Sequence, residues 1–166
     1  ARTNQISDII YGVFGCQLLS YAPEDIRYYI DPSSAELVGS CNSIASFILR
    51  NEHPKVIVDV LCSLVRYLNN STKYKKIHES LMTFGKIQNI FSEQNRFTAL
   101  SDYYSQIQIV HSDNPLFWLQ FAICKNTQKE FGAAKQYFDA AYSLANKTAG
   151  FNTFQLDNAY ASFLLD

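Results

Sequence analysis

The chain has 166 residues, of which 48% are hydrophobic and 14% aromatic, and its formal net charge is −1. A chain of this length can form one domain that buries roughly 70% of its unfolded surface, and its apolar content excludes wholesale disorder. Fourteen basic against fifteen acidic residues give no electrostatic reason to expect binding to nucleic acid or to an anionic membrane surface.

Apolar residues recur at spacings of three and four along most of the chain, a pattern that predicts α-helices, whereas strict alternation is rare. The first predicted helix covers residues 6–18, and residues 25–30 form a short helix or turn. Ser33 or Ser34 caps the next helix, which ends near Asn51.

Pro54 suits the first turn of a further helix, where its missing N–H removes no hydrogen bond. Residues 56–58 could instead open a strand, but the length and i, i+4 spacing of the apolar run favour helix. Further helices are predicted over residues 74–91 and 96–110, and residues 113–115 form a break before another helix start. The chain is therefore predicted to be all-α, with its helices in antiparallel pairs.

The four cysteines are far apart and have apolar neighbours, so they are predicted to be buried, reduced thiols: Cys16, Cys41, Cys62 and Cys124. The sequence contains neither a signal-peptide pattern nor a run of about 18 uncharged apolar residues. We therefore expect a cytoplasmic protein. Because the chain ends directly after an apolar run without a cap, we also expect it to be a segment of a longer protein.

Residues 115–148 form a 34-residue window that resembles a tetratricopeptide repeat. Matching residues occupy the repeat's usual aromatic and small positions: Trp118, Phe121, Ala122, Phe131, Ala134, Phe138 and Ala141. The small residues allow two antiparallel helices to approach closely, and the aromatic residues fill the gaps. Lys129 stands where the repeat usually has a turn glycine. An ordinary amphipathic helix pair remains the alternative explanation.

A repeat of this kind needs neighbours, because one unit cannot bury its own faces. Upstream, the helices over 74–91 and 96–110 would form the preceding pair. Downstream, residues 154–165 would form the first helix of a further, truncated unit, with Tyr160 in its core. We therefore expect TPR-like repeats stacked as an α-solenoid over residues 71–166. Residues 1–70 would be a linker or a preceding helical domain.

In such repeats the first helices line a concave groove, so the residues at those positions are candidate partner contacts: Leu116, Leu119, Gln120, Ile123, Gln155 and Asn158. None is a cation, and a clamp for a peptide's terminal carboxylates needs fixed cations. The sequence therefore predicts an apolar groove that packs against a protein partner or against the rest of its own chain.

No signature of catalysis or cofactor binding is present in the sequence, which contains no Gly-rich phosphate loop, GxSxG or HExxH. His53, His78 and His111 are scattered, and we expect them at the surface or at helix ends. The lysines at 73, 75 and 76 are expected to form a solvated face. We therefore expect no catalytic residue, metal site or cofactor.

The amino-acid sequence of residues 114–122, 137–145 and 151–165 resembles the C-terminal helical region of bacterial STAND-type NTPases. These proteins act in anti-phage defence, and some carry a sirtuin-like effector domain. This family usually has His and Arg where Ala159 and Ser162 stand here, so no polar role carries over to those positions. The resemblance implies a non-catalytic sensor or scaffold segment that recognises a protein such as a phage component, in a full-length protein that can oligomerise. The alternative is a purely structural segment that packs on the NTPase core or on a neighbouring subunit.

Overall fold

A computed structural model of the chain describes residues 51–69, 71–91 and 97–165. Within these ranges there are seven helices and no strand, which confirms the all-α prediction for this part of the chain. The helices are α1 Pro54–Leu68, α2 Lys75–Met82, α3 Phe84–Phe91, α4 Phe97–His111, α5 Pro115–Thr127, α6 Phe131–Lys147 and α7 Phe154–Leu165. The helices predicted before Asn51, with Cys16 and Cys41, lie outside the described residues.

The chain divides into two compact units, residues 1–77 and 78–166. In the first, the backbone N–H of Lys55 donates to Nδ1 of His53, so His53 caps α1 and Pro54 occupies its first turn. Residues 56–58 are helical, which excludes the strand alternative. One side of α1 is buried, including Cys62, whose thiol is free as predicted. The division between 1–70 and 71–166 stays a prediction.

The single helix expected over residues 74–91 is broken at Thr83 into α2 and α3. The Thr83 hydroxyl donates to the carbonyl of Glu79 at 2.8 Å. The backbone N–H groups of Lys86 and Ile87 both donate to the Thr83 carbonyl, at 3.0 and 3.1 Å. Thr83 therefore ends one helix and begins the next, which leaves backbone groups on either side without their usual helical partners.

Side chains from α4 and α5 satisfy the backbone groups released at this break. The hydroxyls of Tyr103 and Tyr104 donate to the carbonyls of Leu81 and Met82, each at 2.8 Å. The N–H of Phe84 donates to the side-chain oxygen Oε1 of Gln120, also at 2.8 Å. Because buried backbone groups need partners, these three bonds let the chain turn without a loop of water-exposed residues.

The turn between α5 and α6 is a Schellman motif centred on Lys129. The N–H of Glu130 donates to the carbonyl of Lys125 at 3.0 Å, and the N–H of Lys129 donates to the carbonyl of Asn126 at 2.8 Å. Lys129 has φ +60°, the left-handed conformation in which glycine is usual. Lys129 therefore stands where the repeat pattern usually has a turn glycine, and its backbone has the conformation that is typical of glycine.

The second unit is organised around α5, which packs against α3, α4, α6 and α7. Aromatic rings join the layers of helices. The ring of Phe121 stacks on Tyr104 of α4 with centroids 5.4 Å apart, and on Tyr137 of α6 with centroids 4.2 Å apart. Asn114 caps α5 by accepting from the N–H of Leu116, which confirms the predicted break before Pro115. Among the described helices, none combines the length and the hydropathy that crossing a membrane would require.

Candidate interaction surface

Five of the residues predicted for the repeat core lie fully inside the second unit. Phe121, Ala122, Ala134 and Ala141 have no exposed surface, and Phe138 is 1% exposed. The alanines occur where α5 and α6 are in contact, so the backbones of the two helices can approach closely there. Trp118 and Tyr160 are half-buried and pack against the same cluster.

Phe131 differs from the prediction, because 45% of its surface is exposed. It is the first residue of α6, and its ring centroid lies 6.4 Å from that of Phe163 on α7. A side chain at the end of a helix has neighbours on fewer sides than one in its middle. Phe131 therefore lies at the edge of the core rather than inside it.

Three of the six predicted groove residues contact other helices of the chain itself. Leu119 is only 2% exposed and packs in one cluster with Leu156, while Ile123 packs against that cluster. Gln120 is the hydrogen-bond acceptor for Phe84. Leu119 is therefore inaccessible to a partner in this fold, because α5 is surrounded by four helices. Partner contacts of Gln120 and Ile123, which are half-buried, stay a prediction.

The other three predicted groove residues are accessible. Leu116, at the start of α5, is 41% exposed, and Gln155 and Asn158 are exposed on α7. The accessible part of the predicted groove is therefore mainly on α7.

The side of α7 that faces away from α5 and α6 carries large apolar residues that were not among the predicted groove positions. Phe154, Leu164 and Leu165 are 67%, 64% and 88% exposed, whereas Leu156 on the inner side is 1% exposed. Helices that are apolar all round are usually covered on all sides. We call the exposed residues Phe154, Asn158, Ala161, Leu164 and Leu165 the outer face of α7. The signal in the sequence was the apolar content of both sides of this helix.

The outer side of α7 carries one charge. Asp157 is the one charged residue of α7, and it is exposed between Ala161 and Leu164 around the helix. Its carboxylate accepts hydrogen bonds from the hydroxyls of Tyr142 and Thr153, each at 2.8 Å. Burial, followed by the hydrogen bond to Asp157, raises the pKa of Tyr142 to about 12. The phenol therefore remains a donor at neutral pH, and the carboxylate is directed towards α6 and the turn before α7.

A polar cleft of about 500 Å³ lies between the first turns of α4 and the turn that joins α5 to α6. Asp102 lines it from α4, Lys125 from the last turn of α5, and Lys129 and Glu130 from the turn that follows. Lys125 forms an ion pair with Glu130 at 2.9 Å. The charges lining the cleft are two acidic and two basic, so the cleft selects neither cations nor anions.

Two histidines meet inside the second unit. His111, at the end of α4, is only 3% exposed, and its ring centroid lies 4.9 Å from that of half-buried His78. Neither Nε2 atom has a hydrogen-bond partner among the described residues. The predicted surface or helix-end positions hold for His53, which is exposed and caps α1, and for His111, which is the last residue of α4 although it is buried. His78 lies within α2. Burial, together with His78, lowers the pKa of His111 to about 4, although Asp113 acts in the opposite direction.

Within residues 51–69, 71–91 and 97–165, no group of three or more His, Cys, Asp or Glu side chains is placed so that it could bind a metal ion. No protein-family model matches the chain. Comparisons with curated proteins and with solved structures give no match either. The packing of α3 to α7 and the outer face of α7 are therefore the features from which a function can be argued.

Proposed function

We propose that the chain is a non-catalytic interaction scaffold in which α3 to α7 form TPR-like hairpins of an α-solenoid. In this proposal, the outer face of α7 is the surface that another protein segment covers. The observation that carries the proposal is the exposure of Phe154 and Leu165, at 67% and 88%, on a helix whose opposite side is already buried. Large exposed apolar side chains on a helix whose other side is packed favour a protein interaction site.

The order of helix contacts supports the repeat arrangement. In stacked hairpins, each first helix packs against its own second helix and against the first helices of the units before and after it. Here α5 packs against α6, and also against α3 and α7, while α7 packs against α6 as well. The buried alanines of α5 and α6 and the left-handed backbone at Lys129 agree with a hairpin of this class.

The chemistry of the outer face of α7 limits the kind of partner. A largely apolar helix face whose one charge is the hydrogen-bonded Asp157 suits the apolar stripe of a partner helix, and it offers no cation to a carboxylate or a phosphate. We therefore propose a protein partner, with no role for nucleic acid, membrane, metal or cofactor and no catalysis by this segment. The narrower role, a sensor of a phage component in a bacterial defence protein, stays a prediction from the resemblance of residues 114–165.

A second function is favoured by the burial of the groove. Leu119 and Ile123, which would face a ligand in a peptide-binding repeat, pack against the chain's own helices. This supports a structural role in which the helices pack on another domain or subunit without an external ligand. The two functions differ in what covers α7: a separate partner in the first, and a fixed part of the same assembly in the second.

Photo-crosslinking from α7 tests the proposal directly. A photoreactive phenylalanine analogue at position 154 should form protein crosslinks in the cells that express the chain naturally. The same analogue at Ile109, which is 86% exposed on α4, is the matched control and should form few. Crosslinks to a separate protein would support the scaffold function, and crosslinks to a fixed subunit or domain would support the structural role. Equal, low yields at both positions would contradict both.

A further inference from the structure

We propose that His78 and His111 form an acid-sensitive contact, which keeps the end of α2 on α4 while both imidazoles are neutral and releases it when they take up protons. This contact is separate from the outer face of α7, so the proposed function can stand or fall without it. Three observations carry the proposal: the burial of the two rings, the missing hydrogen bonds of their Nε2 atoms and the small buried surface of α2.

The two imidazole rings meet in a place where an added proton has no acceptor. His111 is 3% exposed, its ring centroid lies 4.9 Å from that of His78, and the ring planes are inclined by 46°. Both Nε2 atoms are buried, and neither has a hydrogen-bond partner among the described residues. The ring of Phe117 lies 5.6 Å from that of His111. A proton on either Nε2 would therefore be an uncompensated charge in apolar surroundings.

The charged groups near the pair do not offset this cost. Glu79, next to His78 on α2, and Asp113, in the turn after α4, both favour protonation. The C-terminal end of α4, where His111 lies, acts in the same direction. Burial nevertheless dominates and lowers the pKa of both histidines. The other charged residues of the three helices lie farther along them: Lys75 and Lys76 at the start of α2, Asp102 near the start of α4 and Lys125 in the last turn of α5.

The end of α2 is held by few contacts, so a modest change in free energy can release it. Met82 is the one buried residue of α2, whereas α4 buries five residues and α5 buries six. Besides the ring pair, α4 contacts this end through the hydroxyls of Tyr103 and Tyr104, which donate to the carbonyls of Leu81 and Met82. Elements with little buried surface open locally before the whole fold unfolds. Protonation of the ring pair would favour this local opening.

Proton linkage gives the direction and the size of the effect. In the open form the pKa of His111 is the ordinary 6.5, whereas in the closed form it is about 4. The open form therefore binds more protons, and the closed form loses its advantage as the pH falls from about 6.5 towards 4. Between about pH 7.5 and pH 5 the opening equilibrium should increase about 30-fold from His111 alone. His78 adds to this increase, because its pKa is lowered as well.

Hydrogen exchange of the 166-residue chain between about pH 7.5 and pH 5 tests the contact. The amides of residues 79–83 report on the end of α2, where the N–H of Thr83 donates to the carbonyl of Glu79. After correction for the intrinsic exchange rate, their protection should fall about 30-fold or more over this range. It should change little with low concentrations of urea, because a local opening exposes little surface. Amides in the middle of α6 should be better protected and should respond to urea.

One substitution removes the proton site and keeps the ring. His111→Phe should abolish most of the pH dependence at residues 79–83, whereas His53→Phe, at an exposed position, is the matched control and should leave it unchanged. In the unsubstituted chain, NMR of the imidazole C–H groups should show that His111 titrates well below its ordinary pKa, a readout that needs no variant to fold.

Three results would overturn the proposal. The first is a His111 that titrates at its ordinary pKa, and the second is protection of residues 79–83 that does not change with pH. The third is equal protection and an equal urea response in α2 and α6, which would assign the whole effect to global unfolding. None of these results affects the crosslinking from position 154, so the proposed function is tested separately.

Discussion

The hydroxyl of Tyr104 holds the break between α2 and α3, so Tyr104→Phe should destabilise the second unit. The side chain has no exposed surface, and its hydroxyl donates to the Met82 carbonyl at 2.8 Å. Burial raises the pKa of Tyr104 well above its ordinary value, so the phenol keeps its proton. Phenylalanine keeps the ring that stacks on Phe121 but leaves the carbonyl without its donor. An unsatisfied buried group of this kind costs about 1–3 kcal/mol, and we expect about 2 kcal/mol.

Urea denaturation followed by circular dichroism measures this difference, and the slope of the unfolding free energy against urea should stay unchanged. Tyr142→Phe is the matched control, because its hydroxyl bonds Asp157 at an exposed position where water can replace it. This control should cost below about 0.5 kcal/mol. The explanation of the helix break would be refuted if Tyr104→Phe were no more destabilising than Tyr142→Phe.

Three further predictions concern single residues. Lys129→Gly should raise the free energy of unfolding by about 0.5–1 kcal/mol in urea denaturation, because glycine adopts the left-handed turn without the strain that lysine has there. Because the pKa of His111 is lowered to about 4 from 6.5 in the fold, the unfolded chain binds more protons, and stability should fall by up to about 3 kcal/mol as pH drops from about 6.5 to 4. Burial raises the pKa of the Cys62 and Cys124 thiols to about 11 and about 12, so peptide mapping should show slow alkylation of both until the chain is unfolded.

Each of these predictions has its own control. Lys129→Ala keeps the strained backbone and should be nearly neutral, and equal gains from Ala and Gly would contradict the role of the turn. His111→Asn should flatten the pH dependence of stability, whereas exposed His53→Asn should leave it unchanged. If His111→Asn left the pH dependence of stability unchanged, groups other than His111 would be responsible for it. Rapid alkylation of either cysteine in the folded chain would contradict its burial.

The local parts of the fold could be predicted from the sequence, because their signals lie close together along the chain. The proline and cap at the start of α5 locate that helix, and the three- and four-residue spacing locates the buried face that includes Phe121 and Phe138. The left-handed turn at Lys129 also coincides with the glycine position of the repeat pattern.

The features that sequence reasoning missed depend on residues that are distant in the chain. Gln120 bonds Phe84 from 36 positions away, so the break at Thr83 has no strong local signal. Leu119 has the pattern of an exposed groove residue, but the packing of four helices around α5 buries it. Both sides of α7 carry large apolar residues, so periodicity alone does not tell which side packs inward.

The most direct test of the interaction surface is hydroxyl-radical footprinting inside the cells that express the chain, compared with the purified chain at high dilution. The oxidation rates of Phe154, Leu164 and Leu165 relative to Ile109 report whether protein covers the outer face of α7. We predict that these three ratios fall about threefold or more in the cell, because a bound helix excludes water from that face. Unchanged ratios would contradict the claim that α7 is an interaction surface.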